Sequence, residues 1–249
     1  MSEAAAQTIE APAKLTLTLR VTGVREDGFH LLDSEMVTLD LADHLDISDG
    51  DALEIVSGGG SGTAVPGDDT NLVRKALAAV GRKAFVRLHK RIPAGAGLGG
   101  GSADAAAILR WAGISDPQLA VGLGSDVPFC VIGGRARVTG VGECVEALPF
   151  EEVEGHAYTL VTPPLHVSTV EVYRAWDRMG GPTGENGNDL EPAALAVEPR
   201  LAQWRDHLGG MTGATPRLAG SGGTWFVDGS FPGAGLVVRV ARSKGSCQA

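Results

Sequence analysis

Apolar and polar residues alternate along the first part of the chain. The apolar members of this pattern stand at every second position: Leu15, Leu17, Leu19 and Val21, followed by Val37, Leu39 and Leu41. A period of two residues is typical of strands with one buried face. The sequence therefore predicts two half-buried strands, and the charged segment 23–29 between them predicts a turn.

Two later segments have the spacing of amphipathic helices. Leu72, Val73, Ala76, Leu77 and Val80 recur at helical intervals, and Asn71 or Thr70 is a candidate N-cap. The residues Ser168 to Glu171 form a capping box, which predicts a helix that continues to Met179. Pro192 to Leu208 is predicted to be helical in part.

Further strands are predicted at Ala84–Lys90, Tyr158–Val161, Thr224–Val227 and Leu236–Ala241, with a helix at Ala103–Trp111. Strands and helices follow one another without a regular strand–helix–strand alternation, which favours the α+β class. A division near Phe150 predicts two domains, residues 1–150 and 151–249.

Composition excludes several classes of protein. The net charge of −9 and the lack of a basic run make nucleic acid an unsuitable partner. No apolar run approaches the ~20 residues of a membrane span. Residues 1–11 lack the pattern of a signal peptide and are interpreted as a frayed tail. Cys130, Cys144 and Cys247 have no metal-binding spacing and cannot all pair, which favours reduced thiols in a cytoplasmic protein.

The segment from Pro93 to Asp104 contains five glycines in the seven positions 95–101 and is followed by an alanine-rich helix pattern. Glycines expose backbone N–H groups, and a helix N-terminus adds more of them with the positive end of its dipole. Such an arrangement binds anions, above all polyphosphates. A purely structural turn is the alternative.

Three well-known types of phosphate loop fit this segment poorly. The chain has no Gly-Lys-Ser or Gly-Lys-Thr, as a Walker A loop requires, and it lacks the H-R-D and D-F-G motifs of protein kinases. Gly95, Gly97 and Gly100 satisfy the spacing of a dinucleotide-binding fingerprint. That fingerprint also needs an acidic residue at the end of a second strand ~20 residues later, where this chain has the turn 113–117.

The segment 93–102, with the form P-x-x-x-G-L-G-G-G-S, resembles the second motif of the GHMP kinases. The segment 11–14, A-P-A-K, is similar to the first motif of that superfamily, and 218–223, L-A-G-S-G-G, is similar to the third. The resemblance implies an ATP-dependent kinase with two α+β lobes. The N-terminal lobe would bind ATP and resemble domain 2 of ribosomal protein S5, and the C-terminal lobe would be ferredoxin-like.

Shorter motifs narrow the resemblance to the branch that phosphorylates the 2-hydroxyl of 4-(cytidine 5′-diphospho)-2-C-methyl-D-erythritol in non-mevalonate isoprenoid biosynthesis. They are G-F-H at 28–30, G-S-D-V-P-F at 124–129, G-V-G-E at 140–143 and N-D-L-E at 188–191. Thr16 departs from the pattern, because this branch usually has Asn there. The alternatives are a GHMP kinase of the homoserine or mevalonate type, and a catalytically silent nucleotide-binding relative.

The resemblance also implies roles for individual residues. Asp126 would remove or orient the proton of the acceptor hydroxyl, with Lys14 beside it. The residues implied in ATP binding are Asn71, Pro93, Gly95, Gly97, Leu98, Gly99, Gly100, Gly101 and Ser102. Mg²⁺ is expected with the nucleotide, with no dedicated metal-ligating residue in the chain. For Asp126 the alternative is capping of a turn, and for Asn71 it is capping of a helix.

The residues implied in substrate binding are Phe29, His30, Thr169, Tyr173, Gly220, Ser221 and Gly222. Phe29 and Tyr173 would stack on the cytosine, and His30 would face its edge. A core position for Tyr173 and a surface turn for His30 are the alternatives. The expected partner is this small molecule, and the enzyme is expected to be a monomer or a homodimer.

Overall fold

The computed structural model describes residues 7–57 and 65–242. The first part of the fold contains the following elements: β1 (Gln7–Val24), β2 (His30–Ser48), β3 (Ala52–Ser57), α1 (Leu72–Ala79), β4 (Phe85–Lys90), α2 (Gly100–Ala112), α3 (Pro117–Leu123), α4 (Val127–Ile132), β5 (Arg135–Gly140) and β6 (Cys144–Ala147). The second part contains β7 (Ala157–Val161), α5 (Thr169–Arg178), α6 (Glu191–Val197), α7 (Leu201–Thr212), β8 (Arg217–Leu218), β9 (Trp225–Asp228) and β10 (Leu236–Arg239).

The two strands predicted from alternation form one long antiparallel hairpin. β1 pairs with β2 from Gln7 opposite Ile47 to Val24 opposite His30. Leu15, Leu17 and Leu19 are buried as expected. The predicted frayed tail is wrong for residues 7–11, because they are the first residues of β1 and Ala11 is fully buried. Residues 1–6 lie outside the described part.

The first sheet has the order β3-β4-β2-β5-β6, and β1 pairs with β2. β3 runs parallel to β4, whereas the other pairs are antiparallel. The G-V-G-E segment at 140–143 forms the connection from β5 to β6. α2 packs on this sheet with a face of small side chains, and the residues from Ala105 to Leu109 are fully buried. Because alanines allow close approach, the segment before α2 lies next to β1.

The second sheet is antiparallel, with the order β10-β7-β9-β8. Trp225 and Phe226 of β9 are fully buried on its two faces: Trp225 joins a cluster with α5, α6 and α7, and Phe226 joins the cluster of the first sheet. The predicted strands at 158–161, 224–227 and 236–241 therefore exist, with small shifts at their ends. The two sheets with helices confirm the α+β class. The domain boundary near residue 150 stays a prediction.

The helical predictions also hold, with one difference in position. Asn71 is the N-cap of α1, and Ser168 accepts the N–H of Glu171 at the start of α5. α2 begins at Gly100, three residues before the predicted start at Ala103. Among the described residues, no helix is both long enough and apolar enough to cross a membrane. Cys130 and Cys144 are free thiols, and Cys247 lies outside the described residues.

Candidate active site

A cavity of about 540 Å³ lies where β1, the glycine-rich segment before α2, the start of α4, α5 and the segment 220–221 meet. Most of the predicted site residues line it: Lys14, Asn71, Pro93, Gly95, Gly97, Leu98, Gly99, Gly100, Gly101, Ser102, Asp126, Thr169, Tyr173, Gly220 and Ser221. The structure thus brings together residues from all three family motifs, 11–14, 93–102 and 218–223. Phe29, His30 and Gly222 are not among the described residues that form its lining.

Lys14 enters the cavity from β1. The strand register shifts between Pro12 and Lys14, and such irregularities re-aim side chains. Lys14 and Thr16 share a face of the strand because side chains alternate, and the Lys14 ammonium donates a hydrogen bond to the Thr16 hydroxyl at 2.9 Å. Its backbone N–H donates to the carbonyl of Leu98 at 3.0 Å, which joins β1 to the glycine loop.

Asp126 lies at the N-terminal end of α4. Its Oδ2 is 3.1 Å from Lys14 Nζ, and the side chains are 5% exposed for Lys14 and 30% exposed for Asp126. The structure describes no hydrogen bond from the Asp126 side chain to the first turn of α4. The carboxylate is therefore directed to the lysine, which favours the catalytic interpretation over capping of the turn.

The glycine loop contacts other backbone so closely that side chains would not fit. Gly97 has φ +76°, and a methyl group there would lie 2.6 Å from the carbonyl oxygen of Gly222. A methyl group at Gly99 would lie 2.8 Å from Lys14 Cγ. Gly222 therefore supports the loop from behind, which explains why it is buried away from the cavity. The loop and the N-terminus of α2 form a cradle of backbone in which a polyphosphate would fit.

A cluster of three ionisable side chains lies under this cradle. Lys90, at the end of β4, forms ion pairs with Asp43 of β2 and, at 2.8 Å, with Asp104 of α2. Asp43 also accepts the backbone N–H of Ile92 at 2.8 Å. The cluster therefore connects the segment before the loop to the helix after it.

The charges in this cluster perturb one another. Burial raises the pKa of Asp104 to about 8, with Lys90 opposing the shift and Asp43 adding to it. Burial disfavours the charged form of Lys90, but its two carboxylate neighbours raise its pKa overall. Asp104 Oδ1 is buried with no hydrogen-bond partner among the described residues.

Asn71 caps α1 and also borders the cavity. Its side chain accepts the N–H of Val73 at 2.8 Å and donates to the carbonyl of Pro66 at 2.7 Å, so it caps α1. It also lines the cavity beside Leu72 and Gly101. The N-cap interpretation is confirmed, and nucleotide contact stays a prediction.

The predicted substrate residues fall into two groups. Thr169 and Ser221 share a hydrogen bond between their hydroxyls at 2.8 Å, at the edge of the cavity. The ring of Tyr173 lies 4.6 Å from that of His30, measured between centroids, and His30 is 2.8 Å from Asp177 of α5. Phe29 is 60% exposed at the tip of the β1–β2 hairpin. Burial raises the pKa of Tyr173. The Tyr173 side chain also packs against the hydrophobic cluster that Trp225 forms with α5, α6 and α7, here called the second cluster.

Sequence reasoning missed Lys90 and Asp104 as cavity residues and gave no role to Thr16 beyond its departure from the family pattern. A signal existed for Asp104, because it is a single acidic residue in the run Ala103 to Ala107 of a buried helix. In the described ranges, no group of three or more His, Cys, Asp or Glu side chains is placed to hold a metal ion.

Comparisons with known proteins agree with this geometry. The family described as "GHMP kinases N terminal domain" matches residues 71–134. The chain is 35% identical to the 4-diphosphocytidyl-2-C-methyl-D-erythritol kinase of Paramagnetospirillum magneticum, over 88% of this chain and 87% of the relative. It is 38% identical to the enzyme of the same name from Cereibacter sphaeroides, over 87% of each protein.

Solved structures add the fold. A crystal structure of 4-(cytidine 5′-diphospho)-2C-methyl-D-erythritol kinase matches with a TM-score of 0.71 and 29% identity, covering 94% of this chain and 100% of the other. The mevalonate kinase of Methanococcus jannaschii matches with a TM-score of 0.60 and 11% identity, covering 97% and 100%, and shares the fold. With these relatives and the assembled glycine motifs, the chain belongs to the 4-diphosphocytidyl-2-C-methyl-D-erythritol kinase family of GHMP kinases.

Proposed function

We propose that the protein transfers the γ-phosphate of ATP to the 2-hydroxyl of 4-(cytidine 5′-diphospho)-2-C-methyl-D-erythritol. The observation that carries this proposal is the Lys14–Asp126 pair, 3.1 Å apart in the cavity that the glycine loop borders. Phosphoryl transfer depends mainly on positioning and on positive charge near the transferred group. The pair and the loop meet both requirements.

Asp126 accepts the proton of the acceptor hydroxyl, or orients that hydroxyl toward the γ-phosphate. Lys14 pairs with this carboxylate and stabilises negative charge on the transferred group. The Thr16 hydroxyl accepts a hydrogen bond from the same ammonium. The backbone from Gly95 to Gly101 binds the phosphates of ATP, and the Ser102 hydroxyl contacts a phosphate or its metal ion.

Mg²⁺ would accompany ATP in this proposal and would supply positive charge to the phosphates, with most of its oxygen ligands coming from phosphates and water. The residues present fit that arrangement, because the Ser102 hydroxyl lines the cavity together with Asp104, whose Oδ1 is buried without a partner in the described part of the chain. Asn71 contacts the adenosine part of the nucleotide.

The cytidine part of the acceptor lies on the side of α5. Tyr173 and Phe29 stack on the base, His30 faces its edge, and Thr169, Gly220 and Ser221 contact the rest of the molecule. Support for this acceptor comes from the relatives, which are 4-diphosphocytidyl-2-C-methyl-D-erythritol kinases by name, and from the position of Tyr173 and Thr169 in the cavity lining. Gly222 acts indirectly, through its contact with Gly97.

We also propose that the enzyme acts in the cytoplasm as a monomer or homodimer, with residues 1–150 as the ATP-binding domain and 151–249 as the C-terminal domain. A silent relative is disfavoured because Lys14 and Asp126 are both retained and in contact. A homoserine or mevalonate kinase is disfavoured because the structural matches to those enzymes are below 20% identity.

The test is incubation of the pure protein with ATP, Mg²⁺ and the cytidylyl methylerythritol, followed by ³¹P NMR. We expect ADP and a new phosphomonoester signal in addition to the diphosphate signals. Homoserine and mevalonate serve as comparison acceptors under the same conditions. Phosphorylation of either comparison acceptor in preference to the cytidylyl compound would contradict the proposal.

A further inference from the structure

Two consecutive polar side chains, Asn188 and Asp189, are buried between β1 and residues 218–223, the third family motif. Asn188 is 3% exposed and Asp189 is 5% exposed. They lie outside the lining of the cavity, so they do not contact a bound substrate there. Because burial of polar groups is unfavourable unless they are hydrogen-bonded, their partners show what they hold in place.

Asn188 fixes the third family motif, residues 218–223, by hydrogen bonds. Its Nδ2 donates to the carbonyl oxygens of Leu218 at 2.8 Å and of Gly220 at 2.7 Å. Its Oδ1 accepts the N–H of Leu190 at 2.9 Å. Both amide protons therefore go to carbonyls of the turn, a task that a carboxylate of the same size cannot perform.

Asp189 holds β1. Its Oδ2 accepts the backbone N–H of Val21 at 3.0 Å, and its Oδ1 accepts from Arg20 at 2.6 Å. Its own N–H donates to the carbonyl of Leu19 at 2.9 Å. The two side chains therefore tie the later half of β1 to the turn at Gly220.

The turn at Gly220 lies directly against the reacting groups. Gly220 has φ +62°, and a methyl group built on it would lie 3.6 Å from Lys14 Nζ and 3.7 Å from Thr16 Oγ1. A shift of this turn would change the space around the ammonium that pairs with Asp126. Asn188 thus holds Gly220, and Gly220 lies next to Lys14.

We propose that Asn188 is a positioning residue for phosphoryl transfer, which holds the Gly220 turn against Lys14 while Asp189 fixes the same segment to β1. The expected loss of kcat rests on the proposed function, because it presupposes the phosphoryl transfer. Its structural consequence, a displaced turn when the amide is lost, is independent of which acceptor the enzyme uses.

The test compares Asn188→Asp with the wild type by steady-state kinetics with ATP and the cytidylyl methylerythritol. The new carboxylate oxygen would face two carbonyl oxygens, so the turn has to move away. We expect kcat to fall roughly 10- to 100-fold, the effect of a displacement of about 1 Å at a reacting group. We expect the KM for ATP to change less than kcat, because the glycine loop, which contacts Gly222 of this turn, is also held by the Lys90 cluster.

Leu208→Ala is the matched control, because Leu208 is fully buried in the hydrophobic cluster that contains Leu190 and Leu218, two hydrogen-bond partners of Asn188, but does not line the cavity. It should lower the melting temperature without the loss of kcat. An equal loss of kcat in Leu208→Ala, or a kcat within about threefold of the wild type in folded Asn188→Asp, would overturn the proposal. If Asn188→Asp does not fold, Asn188→Ser, which keeps a hydroxyl for the Leu190 N–H, is measured in its place.

A crystal structure of the same variant separates this inference from the proposed function. An inactive wild type would refute the proposed acceptor, and the position of the turn would still decide the role of Asn188. We expect the Gly220 carbonyl to move and the contact between Lys14 and Asp126 to lengthen. A turn and an ion pair that remain unchanged would overturn the inference.

Discussion

Lys14 Nζ and Asp126 Oδ2 are 3.1 Å apart, on a lysine that is almost completely buried and an aspartate that remains partly open to the cavity. The lysine is fixed by the Thr16 hydroxyl and by the backbone of Leu98. The aspartate therefore has its charge partner on one side and free access to a substrate on the other. This asymmetry suits a carboxylate that has to receive or orient a substrate proton.

Asp126→Asn should reduce kcat by a factor of about 10² to 10⁴, since general-base catalysis typically contributes that much. ATP affinity should stay nearly intact, because the phosphate cradle consists of backbone. Initial-rate kinetics and calorimetric ATP titration would measure the two quantities. Asp116→Asn is the control, since Asp116 is the N-cap of α3 and asparagine caps equally well. Turnover close to the wild type in Asp126→Asn would remove Asp126 from the mechanism.

Thr16→Val should slow turnover about 10-fold, equivalent to ~1.4 kcal/mol in the barrier. Valine has a similar shape but offers no acceptor to Lys14 Nζ, so the ammonium loses one of its two described partners. Thr16→Ser keeps the hydroxyl and should retain most of the activity. Equal rates for the valine and serine variants would show that the hydroxyl does not orient the lysine.

Gly97→Ala should destabilise the protein and weaken ATP binding. Gly113→Ala should lower both the stability and the ATP affinity less. Both glycines have left-handed φ, +76° and +74°, which costs a residue with a side chain about 1 to 2 kcal/mol. No described atom lies within 4 Å of a methyl group at Gly113, but one at Gly97 would overlap two carbonyl oxygens. Chemical denaturation and ATP titration of both variants would separate backbone strain from overlap. Equal losses would contradict the close packing of the loop.

The local features of the site were predictable from the sequence, and the contacts between distant segments were not. Alternation in β1 predicts that Leu15 and Leu17 face the core, and hence that Lys14 and Thr16 share the other face. The glycine spacing at 95–101 predicts an exposed backbone before a helix. The contact of Lys14 with Asp126 depends on how α4 packs against β1, which no local pattern contains, and only the family resemblance implied it.

Buried charge was the least predictable property. Lys90 and Asp43 look like solvent-exposed residues in their own segments, and their burial and their pairing with each other and with Asp104 become visible only when β2, β4 and α2 come together. The frayed tail was wrong for a related reason. Residues 7–11 are polar enough to look like a free end, but they are paired with β2, and Ala11 is covered by the core.

Phe29→Ala should raise the KM for the cytidylyl substrate about 5- to 100-fold, since stacking on a base contributes ~1–3 kcal/mol. Its free energy of unfolding should stay within about 0.5 kcal/mol, because the ring is mostly exposed. Tyr173→Ala should change both quantities, because Tyr173 lines the cavity and packs against the second cluster. Val24→Ala, another exposed apolar residue at the end of β1, is the control. A substrate KM unchanged in Phe29→Ala would place the base elsewhere.

Asp104→Asn should remove a component of the pH dependence of stability. In the folded protein burial raises the pKa of Asp104 to about 8 from the ordinary value of 3.8. The unfolded chain therefore releases this proton at a lower pH than the folded one. Between about pH 4 and 8 the folded state binds more protons, so the free energy of unfolding falls as the pH rises.

Asparagine cannot titrate but still offers an oxygen to Lys90. Urea denaturation at pH 5 and pH 8 should show that the wild type loses at least ~1 kcal/mol more than the variant over this interval. The titrating groups outside this cluster are common to both proteins and cancel in the comparison, whereas Lys90 and Asp43 are coupled to Asp104 and belong to the measured difference. Parallel pH profiles for the two proteins would mean that Asp104 is already ionised at pH 5, with Lys90 outweighing its burial.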